Sequence, residues 1–248
     1  MFAEQRIKEI KKIMKKKKQV DINTLSSELN VSDVTVRKDL NKLAEMGFLK
    51  KKHGGAILVE NENENINLNI ENKKEKEYLI ELAYDMIDEG DTIFLGSGTT
   101  CYLLAKKLKE KKDITVLTNN ISALEYLVPH IKNVFLIGGE VVYYNGMVHS
   151  SGRKDGYFHE IFANKAFTSV TGVDKMSGLT VNRAVSCYIY DKISKISKEW
   201  FLMVDDSKFD KVGLYQVGLI EDPDYLITNK IKEEYEHVFK ENKVKIIN

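Results

Sequence analysis

The 248-residue sequence predicts an α/β protein in two parts, a small helical domain with a hairpin followed by a larger parallel-sheet domain. Three observations predict it. Residues 1–56 carry 14 Lys+Arg against 7 Asp+Glu and the remainder 24 against 30, so a net charge of +1 averages a basic end and an acidic body. The basic end has helical apolar spacing and then a glycine-centred hairpin. From about residue 79 onward, apolar strands alternate with amphipathic helices, the pattern of a parallel sheet covered on both faces.

In the first part, Ile7, Ile10, Ile13 and Met14 recur at helical spacing between lysines. "DINTLSSELN" offers Asp21 or Asn23 as a cap and Ile22, Leu25 and Leu29 as a buried stripe. After the turn "NVS", Ser32 is placed to cap the helix "DVTVRKDLNKLAEM", which buries Val36, Leu40 and Leu43 and stops at Gly47. "FLKKKHGGAIL" reads as two short strands around Gly54–Gly55. Three short helices and a hairpin make a winged helix. The stretch "LVENENENINLNIENKKE" is polar and weakly patterned and reads as a linker. The expected domains are therefore residues 1–57, a linker over 58–74 and an α/β domain over 75–248.

In the second part a helix carrying Leu79, Leu82, Ala83, Met86 and Ile87 leads to the strand "TIFL". A helix with Leu103, Leu104 and Leu108 leads to "ITVLT", and one around Leu124 and Leu127 to "VFLIGG". The later strands are "KAFTSV", "WFLMV" and "YLIT".

Composition excludes several classes. No run of about 18 apolar residues exists, so no membrane span is expected, and "MFAEQRIKEI" lacks a signal peptide's apolar core. Cys101 and Cys187 stand far apart, which suits a reducing, cytoplasmic compartment. The histidines share no metal-ligand spacing and CxxC is absent, so no metal is expected.

Helical projection turns Thr35, Lys38 and Lys42 outward, with Arg37 on the flank; a stripe of Thr, Arg and Lys near a helix N-terminus suits a major groove. Lys50, Lys51, Lys52 and His53 sit on the wing, placed to reach the adjoining phosphates. The expected DNA-binding residues are Ser32, Thr35, Arg37, Lys38, Lys42, Lys51, Lys52 and His53. The segment "VSDVTVRKDLNKLAEMGFLKKKHGGA" (31–56) resembles the DNA-binding signature of DeoR-family bacterial transcriptional regulators. That signature has a Val-Ser start, a Thr-aliphatic-Arg-Arg-Asp-Leu core and a wing ending His-Gly-Gly-Ala. Lys38 departs from it, keeping a phosphate contact while weakening a bidentate base contact.

The loop "LGSGTT" (95–100) can hold an anion. Gly96 and Gly98 allow close backbone approach, the following helix start offers N–H groups, and Ser97, Thr99 and Thr100 add hydroxyls. No Walker sequence occurs. Cys101 stands where a dinucleotide fingerprint wants its third glycine, and "LTNN" supplies no acid for a ribose, so no nicotinamide cofactor is expected. The resemblance continues through "ITVLTNN", "VFLIGGE", "KAFTSVTGVD", "GLT" and "DDSKF", in the order of the family's effector domain. It implies a fold related to ribose-5-phosphate isomerase and sugar-phosphate deaminases, and a phosphorylated sugar as effector.

The residues expected to bind it are Gly96, Ser97, Gly98, Thr99, Thr100, Thr118, Asn119, Asn120, Gly138, Gly139, Glu140, Asp174, Asp205 and Lys208. Two departures stand out. Gly96 replaces the family's usual Asp, as in the isomerases, and after "GLT" the usual Glu and Lys give way to Ser186, Tyr188 and Tyr190. An isomerase or deaminase with a DNA-binding arm is the alternative, and a protein-binding adaptor a third reading. Isomerisation needs a base beside a carbonyl, and the isomerases' Asp-Gly-Ala-Asp-Glu type segment is here "SVTGVD", which keeps only Asp174. No catalytic residue is expected. The expected partners are a double-stranded DNA operator, a phosphorylated sugar and further copies of the chain as a dimer or tetramer.

Overall fold

The computed structural model describes residues 3–45, 48–52, 54–58, 70–144, 147–150 and 162–248. His53, the expected helix stop at Gly47 and linker residues 59–69 lie outside the described residues. The chain divides into two compact units, Met1–Asn67 and Leu68–Asn248.

The first unit runs α1 (Ala3–Lys17), β1 (Gln19–Asp21), α2 (Ile22–Leu29), α3 (Asp33–Glu45), β2 (Leu49–Lys52) and β3 (Gly55–Leu58). The Asp21 carboxylate caps α2 by accepting from the Thr24 N–H at 2.8 Å. Ile10, Met14, Leu25, Val36, Leu40, Leu43 and Leu49 pack as one core. The expected hairpin β2–β3 forms, and β1 adds a third antiparallel strand on its far side, in the order β1-β3-β2. That addition explains Gly55: a Cβ there would stand 2.5 Å from the Val20 carbonyl oxygen of β1. A bidentate ion pair joins α1 to α3. Arg6 Nε donates to Asp39 Oδ2 at 2.5 Å and Arg6 Nη2 to Asp39 Oδ1 at 3.1 Å.

The second unit continues α4 (Lys73–Asp85), β4 (Thr92–Leu95), α5 (Thr99–Leu108), β5 (Thr115–Thr118), α6 (Leu124–Leu127), β6 (Asn133–Leu136), β7 (Val141–Tyr144) and β8 (Met147–Ser150). Then come β9 (Ala163–Thr168), β10 (Gly172–Asp174), β11 (Gly178–Val181), α7 (Ala184–Ile196), β12 (Ser197–Met203), β13 (Tyr215–Gly218), β14 (Tyr225–Ile227), α8 (Glu233–Glu241) and β15 (Lys245–Ile247). Seven parallel strands form the main sheet in the order β15-β14-β12-β9-β4-β5-β6.

Period-two alternation sorts the strand residues. Ile93, Leu95 and Val116 pack under α4, α5 and α6, while Phe94, Leu117 and Leu202 pack under α7 and α8. At the β6 edge this cover stops short: Phe135 is 46% and Leu136 45% exposed, because the chain leaves that edge into the β7–β8 hairpin instead of a covering helix. The short sheet β10-β11-β13 is a second antiparallel excursion. Strand–helix alternation signals neither excursion.

Helix α4 begins at Lys73, two residues before the expected start of the domain, and the residues preceding it are already tied down. Asn72 Nδ2 donates to Ser207 Oγ at 2.8 Å and to Asp205 Oδ1 at 3.1 Å, and Lys76 Nζ to the Glu71 carbonyl at 2.6 Å. A fragment of residues 68–248 should therefore fold alone and melt cooperatively. One starting at residue 75 should melt several degrees lower, having lost those bonds and the first turn of α4. Circular dichroism melts of the two fragments check this; an insoluble 68–248 fragment would place the boundary elsewhere.

Candidate functional site

Two surfaces hold the expected site residues, one in each unit. On α3, at about 3.6 residues per turn, the side opposite Val36, Leu40 and Leu43 carries Val34, Lys38 and Asn41, with Arg37 on its flank. All four are exposed. Thr35 is half-buried: its N–H donates to Ser32 Oγ at 3.4 Å, and the two hydroxyls lie 3.0 Å apart. Ser32 thus caps the helix, as expected. Lys42, Lys51 and Lys52 are exposed, and Lys51 Nζ donates to Asn41 Oδ1 at 2.7 Å, docking the wing on the helix. Asp39, polar and so grouped with the outward side chains in any simple pattern, is 5% exposed and faces α1.

In the second unit a cavity of about 300 Å³ opens beyond the carboxyl ends of β4 and β9. These adjacent strands flank the point where the sheet order reverses, β4 to β6 running one way and β9 to β15 the other. Such switch points hold ligands in open α/β sheets, and the volume is at the small end of the usual range of roughly 300–1,000 Å³.

Ser97, Gly98 and Thr99 line one wall. Gly98 sits at φ +105, a backbone angle that only glycine adopts readily, and it starts α5 there. The first N–H groups of a helix have no partner inside it and carry its positive end. Asn182, Arg183 and Ser186, from the start of α7, form the facing wall, and so bring a second helix N-terminus to the cavity. Lys208 reaches in from the 3₁₀ turn Asp206–Lys208, and Ser169 and Thr171 from the end of β9. Tyr190 closes the side, its hydroxyl donating to the Ser169 carbonyl at 2.5 Å. Glu71 is the one carboxylate among the described lining residues. Two helix N-termini, an arginine and a lysine, with one acid among the described lining residues, are a chemistry suited to an anion.

Nearby charge adds to this. Lys76 is buried beside Asp205 and Lys208; burial lowers its ammonium pKa, Asp205 opposes that and Lys208 adds to it. Cys101, in the same helix start, is inert: burial pushes its thiol up to about 12.

Of the residues expected to bind a ligand, the cavity gathers Ser97, Gly98, Thr99 and Lys208. The others stand outside its lining, most of them engaged in holding the scaffold. Gly96 N–H continues the sheet by donating to the Phe167 carbonyl at 2.9 Å, and Thr100 is buried. Thr118 Oγ1 donates to the Leu95 carbonyl at 2.7 Å, and Asn119 Nδ2 to the Ser150 carbonyl at 3.0 Å. Asn120 caps the turn at Ala123. Asn119 Oδ1 and Asn120 Nδ2 have no hydrogen-bond partner among the described residues. Gly138, Gly139 and Glu140 are exposed beyond β6.

Asp174 accepts from the Met176 and Ser177 N–H groups at 3.0 and 2.8 Å in the β10–β11 turn. The Ser177 N–H first among them holds its carboxyl below the usual range. Asp205 is buried and accepts from Asn72, from the Ser207 N–H and from the Ser207 hydroxyl, building the turn that presents Lys208.

Asn182 and Arg183 lie between β11 and α7, after a strand of the antiparallel excursion and so outside the strand–helix alternation that marks the other candidates. A polar "NR" directly after the apolar "GLTV" was the signal.

Comparison with known proteins adds the following. Residues 6–62 match the family described as "DeoR-like helix-turn-helix domain", and residues 71–230 match "DeoR C terminal sensor domain". The chain is 31% identical to a lactose phosphotransferase system repressor of Streptococcus mutans, over 87% of this chain and 98% of that one. It is 30% identical to the HTH-type transcriptional regulator IolR of Bacillus subtilis, over 97% of each. Among solved structures, ribose 5-phosphate isomerase A of Methanocaldococcus jannaschii is similar at 17% identity and a TM-score of 0.40, covering 56% of this chain and 55% of that one. A likeness that distant decides nothing about activity.

Proposed function

The chain belongs to the DeoR family, a family of DNA-binding transcriptional regulators, and from that premise we propose that it represses sugar-metabolism genes and that a phosphorylated sugar in the 300 Å³ cavity modulates its hold on the operator. The single observation that carries the ligand class is the convergence of two helix N-termini with Lys208 and Arg183 on one small cavity. Phosphate oxygens sit on the N–H groups at the start of α5, with the Thr99 hydroxyl assisting and Lys208 supplying charge. The sugar hydroxyls meet Ser169, Thr171, Asn182 and Ser186.

Operator DNA lies against α3 and the wing. Arg37 and Lys38 reach base edges or phosphates, Lys42, Lys51 and Lys52 reach phosphates, and Ser32 and Thr35 hold the start of the helix in shape. The binding form is a dimer or tetramer, which presents paired recognition helices to a repeated operator.

The enzyme alternative finds little support in this cavity. Proton transfer beside a carbonyl needs a positioned base. Asp174, the acid left from the isomerase pattern, is committed to a turn, and Glu71 is the one carboxylate among the described lining residues.

Operator duplexes selected from a random library by the full-length protein, then titrated with and without a panel of hexose and pentose phosphates, test the reading. Arg37→Ala is expected to weaken operator binding roughly tenfold or more at matched salt, since a lost base contact costs about 1–3 kcal/mol. Wild-type affinity in that variant would remove α3 as the reader. Release or tightening by no member of the panel would remove the sugar phosphate.

A further inference from the structure

Val34 is the second residue of α3 and is 76% exposed. Among the residues of the N-terminal unit whose exposure is described, it is the one large apolar side chain left in solvent; the others of that set are buried or half-buried. It stands opposite the Val36–Leu40–Leu43 row, on one line with Lys38 and Asn41. Burial in the free protein gives it nothing, and valine is a poor helix former. Its neighbours on that line are a cation and an amide that already carries the wing through Lys51. Recognition helices meet base edges with their N-terminal residues, and Val34 is the most N-terminal member of the row.

The major groove offers a side chain without polar atoms little to gain. Guanine, adenine and cytosine edges present donors and acceptors there, and an apolar group covering them leaves those groups unpaired. Thymine alone adds a methyl group.

We propose that Val34 reads the C5-methyl of a thymine in the operator, a sequence-determining contact that rests on the DNA-binding role above and adds an apolar reader to its basic face. The preference it imposes is for thymine over cytosine, and for thymine over uracil at the same position.

The test uses the full-length protein and the duplex it selects from a random library. Each thymine of that duplex is replaced in turn by deoxyuridine, which removes the C5-methyl and nothing else. The expected result is one thymine per recognition helix at which uracil weakens wild-type binding about fourfold, the worth of burying one methyl group. In Val34→Ala the same replacement should have no effect. The variant itself should bind the thymine duplex about as weakly as wild type binds the uracil duplex. Val34→Ala should melt at or above the wild-type temperature, since the site is exposed and alanine is the better helix former, so unfolding does not blur the comparison. Uracil penalties that are the same in Val34→Ala as in wild type at every thymine would overturn the inference and leave the DNA-binding role standing. A wild-type protein that selects no duplex would overturn both.

Discussion

Asp39→Ala is expected to destabilise the N-terminal unit by about 3 kcal/mol, the low end of the cost of removing one partner from a buried ion pair. Its carboxylate, with side-chain exposure of 7%, sits in the α1–α3 interface and takes both arms of the Arg6 guanidinium, itself 12% exposed. Without Asp39, Arg6 keeps a charge in a place where water reaches it poorly. A unit of this size holds only several kcal/mol in total, at about 0.05–0.15 kcal/mol per residue. The loss should therefore lower the melting temperature of the unit by roughly 12–24 °C, at about 4–8 °C per kcal/mol for a domain of this size, and weaken operator binding only at temperatures where the unit is already melting. Residues 68–248 share none of these contacts, so their transition should not move. A two-step thermal melt of the full chain, with only the first step displaced, is the expected signature. The double variant Arg6→Met, Asp39→Leu should recover much of the stability, because a well-packed apolar pair often replaces a buried ion pair without loss. An Asp39→Ala protein that melts and binds DNA as wild type does would show that the pair contributes nothing.

Asp39 also shows where the sequence stops speaking. The apolar rows of α1, α2 and α3 were legible because spacing alone sorts Val36, Leu40 and Leu43 onto one side. Polarity, however, gives no notice that one carboxylate on the helix has a cation waiting for it 33 positions upstream. Val34 is the converse, an apolar residue that the same spacing puts outside. Strand β1 is three residues long and has no periodicity; it exists because β3 offers a free side, which only the tertiary arrangement supplies.

The cavity divides along a similar line. Ser97, Gly98, Thr99 and Lys208 were legible since each directly follows an apolar strand of the parallel sheet, where ligands gather. The same rule also picked Thr118, Asn119, Asn120 and Asp205. A polar side chain at a strand end serves a ligand or its own turn, and the two uses read alike until its hydrogen bonds are known. Arg183 and Ser186 follow a strand of the β10–β11 hairpin; the polar "NR" after "GLTV" marks a strand end, but only the tertiary arrangement brings it to the same cavity as the phosphate loop.

Lys208→Ala should weaken the affinity for the sugar phosphate by roughly one to two decades, since a charge-assisted hydrogen bond contributes about 1.5–3 kcal/mol. Lys208 lines the cavity from a turn that Asp205 and Asn72 hold in place, so the backbone that carries it is set before any ligand arrives. Thr99→Val removes one hydroxyl and leaves the N–H groups of α5 where they are, and it should cost less. Neither substitution touches α3 or the wing, so operator affinity without ligand should stay at the wild-type value, and in a cell each variant should remain on its operator when the inducing sugar is supplied. Calorimetric titration of both variants and the wild type against hexose and pentose phosphates, each beside its unphosphorylated parent, is the direct measurement. Equal affinity for a sugar phosphate and its parent would remove the phosphate from the start of α5. Measurable isomerisation of any panel member would remove the sensor reading itself, because a cavity in which Glu71 is the one carboxylate among the described lining residues should bind such a molecule without turning it over.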